Sequence, residues 1–220
     1  MTTRRWAIVA TGLSTAVVVG GIAAFNGRQA VAPRPSPSPS TSVASAPSPS
    51  PASPKTSAPS PSPAPAPPAG FVEFRDEKVG FAVSYPKGWK VLEVPGDPQI
   101  RLLTTLNERD SFMVRAVPLG VRIGPDELPG MTSITNDLVT SGEGVKVITG
   151  PKQVQVGGLP GYFYLYTFVD GGQKGAHSHY FLFKDDAMIT LVFQAIPEDQ
   201  FQQRASVFDQ IANSFRVLPN

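Results

Sequence analysis

The pattern of apolar and polar positions divides the chain into three stretches. Residues 6–25 carry no charge and are mostly apolar, whereas residues 32–69 consist almost entirely of Pro, Ser and Ala without apolar periodicity. Beyond them, short apolar segments alternate with polar turns, as in a folded domain. We therefore expect an N-terminal membrane anchor or signal sequence, a disordered Pro/Ser/Ala-rich linker and one folded domain, at residues 1–29, 30–69 and 70–220.

The folded stretch consists mainly of predicted β-strands. Apolar and polar residues alternate, or β-branched and aromatic residues cluster, in ten segments bounded by Gly, Pro or Asp. Gly157-Gly158 and Gly171-Gly172 mark hairpin turns, so the sheet should be chiefly antiparallel. The predicted strands are Phe71–Arg75, Phe81–Tyr85, Trp89–Val94, Ile100–Thr105, Phe112–Pro118, Val145–Thr149, Gln153–Val156, Tyr162–Val169, His177–Phe183 and Met188–Ala195.

Two helices are predicted to interrupt the strands. Pro125–Thr140 begins with Pro and two acidic residues, which suit the first turn of a helix, although Pro129 and Gly130 weaken that turn. Pro197–Phe215 has apolar residues at three- to four-residue spacing, which gives one apolar stripe. A stripe of this kind needs a sheet face to cover, so the domain is predicted to be α+β, with helices packed on an antiparallel sheet.

The apolar run of residues 6–25 is long enough to cross the roughly 30 Å hydrocarbon core of a bilayer as a helix. Arg4 and Arg5 precede it and favour a cytoplasmic N-terminus. A single-pass protein with an extracytoplasmic domain is the expectation. The alternative is a secreted protein, its leader cleaved at the A-x-A-like sequence Ala30-Val31-Ala32.

The amino-acid composition further narrows the class of protein. The tract at residues 32–69 holds 14 of the 24 prolines and should act as an extended spacer. The chain has no Cys, so it has neither a disulfide nor an acylated cysteine. From residue 70 onward there are 14 Lys and Arg residues and 17 Asp and Glu residues. Nucleic-acid binding requires a concentrated basic face, so this mildly acidic composition argues against a nucleic-acid-binding domain.

Four segments of the folded stretch resemble, in order, the PsbP/Mog1-like superfamily. They are a short strand that runs into Tyr-Pro-x-Gly-Trp, an aromatic strand after a Gly-rich turn, an apolar strand and a closing helix; they occupy Gly80–Trp89, Gly158–Phe168, Ile189–Ala195 and Phe208–Phe215. The likeness covers nearly all of residues 71–218 and includes the LpqN-type envelope proteins of actinobacteria. It implies an α-β-α sandwich, no shared catalytic residue, and a role in docking on partners or assemblies.

Histidine offers the main candidate for metal chemistry. His177 and His179 would point to the same face of a strand, about 7 Å apart, a spacing that can chelate a metal. A third ligand, Asp170 or Asp185, would have to come from a neighbouring turn. The alternative is that both histidines are polar positions on the solvent face of the strand.

Aromatic residues offer the main candidate for binding. Tyr162, Tyr164, Tyr166 and Phe168 share one face of a strand, either as a docking surface or beneath a helix with their hydroxyls at its margin. A third possibility, a carrier of lipid or small apolar ligands, predicts a cavity between helix and sheet near Tyr164 and Phe208.

The sequence therefore predicts a membrane-tethered, non-catalytic module that needs no cofactor and binds an envelope protein or a cell-wall or lipid component. A metal-assisted envelope hydrolase that uses His177 and His179 is the competing prediction from a different class, and the carrier is a third.

Overall fold

A computed structural model describes residues 66–219. The predicted anchor at residues 1–29 and most of the linker at 30–69 lie outside this range. Within it, no helix is both long and apolar enough to span a membrane. The elements are β1 Phe71–Asp76, β2 Phe81–Pro86, β3 Lys90–Val91, β4 Ile100–Thr105, β5 Ser111–Pro118, α1 Met131–Thr140, β6 Lys146–Val156, β7 Leu159–Asp170, β8 Gln173–Lys184, β9 Ala187–Ala195, α2 Gln200–Ser214 and β10 Arg216–Val217.

Seven strands form a large sheet in the order β3-β4-β5-β9-β8-β7-β6, and β1, β2 and β10 form a separate three-stranded sheet. All the pairings in residues 66–219 are antiparallel. The predicted α+β class, with helices packed on an antiparallel sheet, is confirmed. The second sheet differs from the prediction: a single sheet was expected, and β10 was not among the predicted strands.

Alternation along the strands of the large sheet builds two separate apolar clusters. One side, the α1 face, carries Tyr162, Tyr164 and Phe181 against Met131 and Val139 of α1. The opposite side, the α2 face, is covered by α2 and by residues of the small sheet. The members of the α2-face cluster include Phe81, Phe112, Leu191, Phe193, Phe208 and Ile211. This is an α-β-α arrangement in which side chains i and i+1 of one strand serve different cores.

Several predicted elements have different bounds in the structure, and the largest differences are the following. The first helix is a 3₁₀ turn at Leu128–Gly130 followed by α1, because proline at residue 129 offers no backbone N–H for an early helical turn. Val145–Thr149 and Gln153–Val156 are one strand, β6, with register shifts between Val147 and Lys152. The strand predicted at Trp89–Val94 is only two residues long.

Candidate functional site

The aromatic strip of β7 lies in the interior and not on a surface. Tyr162, Tyr164, Tyr166 and Phe168 are 7, 0, 5 and 3% exposed. The docking face expected at these four residues is therefore corrected: α1 and neighbouring side chains of the sheet cover it. The four rings share one face of β7, as alternation predicts, but that face packs into one of the two apolar cores of the domain.

The hydroxyls at the margin of α1 have internal partners. Tyr164 Oη lies 2.8 Å from Thr135 Oγ1 of α1, and Tyr162 Oη donates to the backbone oxygen of Leu128 at 3.0 Å. Burial raises the pKa of the Tyr164 hydroxyl, so it stays protonated at any physiological pH. These bonds hold the start of α1 on the sheet.

Both histidines of the chain are buried beside this strip. His177 and His179 lie on β8 opposite Tyr166 and Tyr164, and they are 8 and 2% exposed. They share one face, as their spacing predicts. The alternative, that both histidines lie on the solvent face of the strand, is wrong, because that side of β8 belongs to the buried α1 face.

One tyrosine hydroxyl lies between the two imidazoles. Tyr166 Oη is 3.0 Å from His177 Nδ1 and 3.4 Å from His179 Nδ1. His177 Nε2 is 2.8 Å from Gln194 Oε1 on β9, and the amide nitrogen of Gln194 donates to the backbone oxygen of Arg109 at 3.0 Å. We call Tyr166, His177, His179 and Gln194 the histidine cluster.

The donors and acceptors of the cluster fix its protons. An amide oxygen only accepts, so His177 Nε2 carries the hydrogen and donates to Gln194. His177 Nδ1 is then the acceptor, and the Tyr166 hydroxyl donates a hydrogen bond to it. The Tyr166 oxygen in turn accepts from His179 Nδ1–H, which leaves a bare lone pair on His179 Nε2, a buried atom with no hydrogen-bond partner among the described residues.

This arrangement keeps both rings neutral. Burial lowers the pKa of His177 to about 4, opposed in part by its bond to Gln194. Burial lowers the pKa of His179 well below its usual value, and the repulsion that a second proton on the His pair would meet, together with the charge of Arg115, acts in the same direction. Burial also raises the pKa of Tyr166 well above its usual value. The cluster is thus a neutral, directional chain of hydrogen bonds across three strands.

The third ligand required by the metal hypothesis is not brought to the pair. Asp170 lies at the end of β7 opposite Gln173, and Asp185 lies in the β8–β9 turn, where it pairs with Arg122. No group of three metal-ligating side chains occurs in the part of the chain that the structure describes. In the structure, both imidazoles instead bond to Tyr166.

A cleft of about 440 Å³ lies at the end of the large sheet, between the β4–β5 turn and the start of α2; it is lined by Asn107, Glu108, Arg109, Ile196, Pro197 and Gln200. Beside it, Asp110 is fully buried and pairs with Arg204 of α2 at 3.0 Å. The cavity expected near Tyr164 and Phe208 cannot exist as described, because these two side chains belong to cores on opposite faces of the sheet.

Comparison with known proteins identifies the fold. The sequence profile of the PsbP family matches residues 69–217. The solution structure of cyanobacterial PsbP (CyanoP) from Synechocystis sp. is similar, with a TM-score of 0.50 at 21% identity, over 68% of this chain and 93% of that one. No curated protein sequence matches the chain.

Two further solved structures are similar over most of their own length. LpqN of Mycobacterium tuberculosis, described as involved in cell envelope biogenesis, has a TM-score of 0.46 at 11% identity, over 68% of this chain and 92% of its own. The Ran-binding protein Mog1p of Saccharomyces cerevisiae has a TM-score of 0.46 at 11% identity, over 67% of this chain and 95% of its own. At such identities the likeness concerns the fold.

Proposed function

The chain belongs to the PsbP family, and we propose that it is a membrane-tethered, extracytoplasmic and non-catalytic module that docks on a protein or another component of the cell envelope. The tether is residues 6–25 and the spacer is residues 32–69. At about 3.1 Å per residue, an extended spacer of this length reaches on the order of 100 Å from the bilayer.

The observation that supports a non-catalytic role is that the histidines, the side chains best suited to acid–base or metal chemistry, form hydrogen bonds inside the domain. Both histidines of the chain are buried, and both bond to Tyr166. A general base or a metal ligand needs an accessible lone pair near substrate, whereas His177 uses both ring nitrogens in internal bonds. This internal use of the imidazoles supports a role in recognition through the surface of the domain.

The test is native mass spectrometry of the full-length chain, extracted from its own membrane in mild detergent. We expect the mass of the whole chain with an added protein or envelope component. A bare mass that begins after Ala32 would mean a cleaved, secreted domain and would remove the tether. A whole chain that carries no partner in any mild detergent would count against docking.

A further inference from the structure

Among the residues that the structure describes, the outer edge of β6 is an open border of the large sheet. β6 is the terminal strand and pairs only with β7 among the strands of residues 66–219. It is 11 residues long, whereas β3 at the opposite edge has two. An unpaired edge of this length presents backbone N–H and C=O groups to solvent and can accept another strand.

Hairpin geometry identifies which backbone groups face outward. β6 and β7 are joined by the two-residue loop Gly157-Gly158, whose φ angles of 58° and 86° are typical of a type I′ turn. The pair that closes such a loop, Val156 and Leu159, exchanges hydrogen bonds, and the pairs then alternate away from it. The second and fourth pairs are not hydrogen-bonded, so Gln153 and Gln155 direct their N–H and C=O groups away from β7.

Pro160 agrees with this alternation. It lies opposite Gln155, in a pair that needs no N–H from β7. Both glutamines are exposed. From Lys152 to Val156 the register with β7 is regular, so the edge there is straight enough to be extended by another strand.

The side chains of β6 indicate the chemistry of an added strand. Its charged residues are Lys146 and Lys152, and it carries no acidic residue, although the folded stretch as a whole has more acidic than basic side chains. Ile148, 57% exposed, adds an apolar contact near the same edge. The irregular register around Pro151 confines the straight part of the edge to Lys152–Val156, so an added strand would bond along that stretch and reach Lys146 only with its far end.

We propose that the outer edge of β6 is the docking surface, and that its occupant is an extended segment of a partner protein with Asp or Glu among its alternate residues. The segment adds to the large sheet by hydrogen bonding to Gln153 and Gln155, and its carboxylates pair with Lys146 and Lys152. A second copy of this chain fits less well, since it would bring four lysines together with no acid on either edge. The assignment rests on the proposed function, because it names the surface through which that module docks.

The test uses the full-length chain in its own membranes, with a photo-crosslinking phenylalanine analogue at Gln155. The matched control carries the same analogue at Gln202, an exposed position on α2. We expect a cross-link to another protein from the first position and not from the second, mapped to an extended acidic segment of that protein. A product that contains two copies of this chain, a lipid adduct, or no product at all would overturn the assignment.

Variants of the purified full-length chain then separate backbone from side-chain effects. Gln153→Pro removes one outward N–H, and Gln153→Ala removes only the side chain. With the captured protein as probe, we expect about tenfold weaker binding for the proline variant and near-normal binding for the alanine variant. Equal binding by both variants would refute strand addition. If the proline variant fails to fold, the double variant Lys146→Glu/Lys152→Glu is tested in its place, and it must bind the captured protein more weakly than the unaltered chain.

The two proposals fail differently. A partner that stays bound in native mass spectrometry but cross-links only from Gln202 leaves the docking function intact and refutes the β6 assignment. Absence of any bound component in both experiments refutes both.

Discussion

Replacing His177 by glutamine removes an imidazole that stays neutral in the folded protein, and we expect the change to flatten the pH dependence of stability. The folded-state pKa is about 4, against 6.5 for an unperturbed histidine. Between these values the unfolded chain binds a proton that the folded chain excludes. The free energy of unfolding therefore falls as the pH drops through this window.

The magnitude follows from the difference in pKa. Each pKa unit corresponds to about 1.4 kcal/mol, so a shift of this size makes the folded protein less stable by about 3 kcal/mol once the pH is below 4. Above pH 6.5 the same group has no effect, because both states are neutral. His179, whose pKa burial also lowers, acts in the same direction, and its effect likewise begins below pH 6.5. Burial acts to raise the pKa of Asp76, but the hydrogen bond from Arg101 and bonds from the backbone lower it on balance, so Asp76 loses its contribution to stability only in more acidic solution.

The assay is urea unfolding of the full-length chain in mild detergent at several values between pH 7 and 4. Glutamine keeps a neutral donor and acceptor at this position, so we expect the His177→Gln variant to fold near neutral pH. We expect its stability to fall less steeply with acid than that of the unaltered chain. Parallel curves for the two proteins across this window would refute the reasoning, since they would mean that His177 takes up its proton without unfolding.

Three further predictions concern packing and metal. Tyr164→Phe removes the hydroxyl that meets α1 and should lower the free energy of unfolding by about 1 kcal/mol in urea titrations; no change would mean that this bond does not hold the helix. Arg204→Ala leaves the buried carboxylate of Asp110 without its cation and should cost about 2 kcal/mol in the same assay, most of it restored by adding Asp110→Asn. The double variant His177→Ala/His179→Ala should leave the metal content of the purified chain unchanged by elemental analysis, whereas loss of one equivalent of metal would revive the hydrolase hypothesis.

Local pattern predicted the strands well because alternation is a property of neighbouring residues. It correctly placed Tyr162, Tyr164, Tyr166 and Phe168 on one face, and it placed the two histidines together. It could not decide which face is covered, since α1 reaches β7 from a segment some 30 residues earlier. The Thr135 hydroxyl that meets Tyr164 carries no signal of that contact in the sequence.

The histidine cluster was missed for the same reason. Its members come from β7, β8 and β9, and their contact depends on the register of three strands. Gln194 looks like a polar position at a strand end until the pairing places it opposite His177. β10 is a comparable case: two residues carry too little pattern to be recognised, and they form a strand only because β2 lies beside them.

The burial of the aromatic strip determines how substitutions there affect binding. Tyr166 and Phe168 are packed in the α1 face, so replacing either by alanine should lower stability by about 3 kcal/mol and weaken binding only as far as the folded fraction falls. Charge reversal at Lys146 and Lys152, which are exposed on β6, should weaken binding while the unfolding midpoint stays nearly constant. Measuring both quantities for both sets of variants therefore separates a core from a docking surface. If the Tyr166 or Phe168 variants bind more weakly although they are fully folded, the docking surface is the aromatic strip and not the β6 edge.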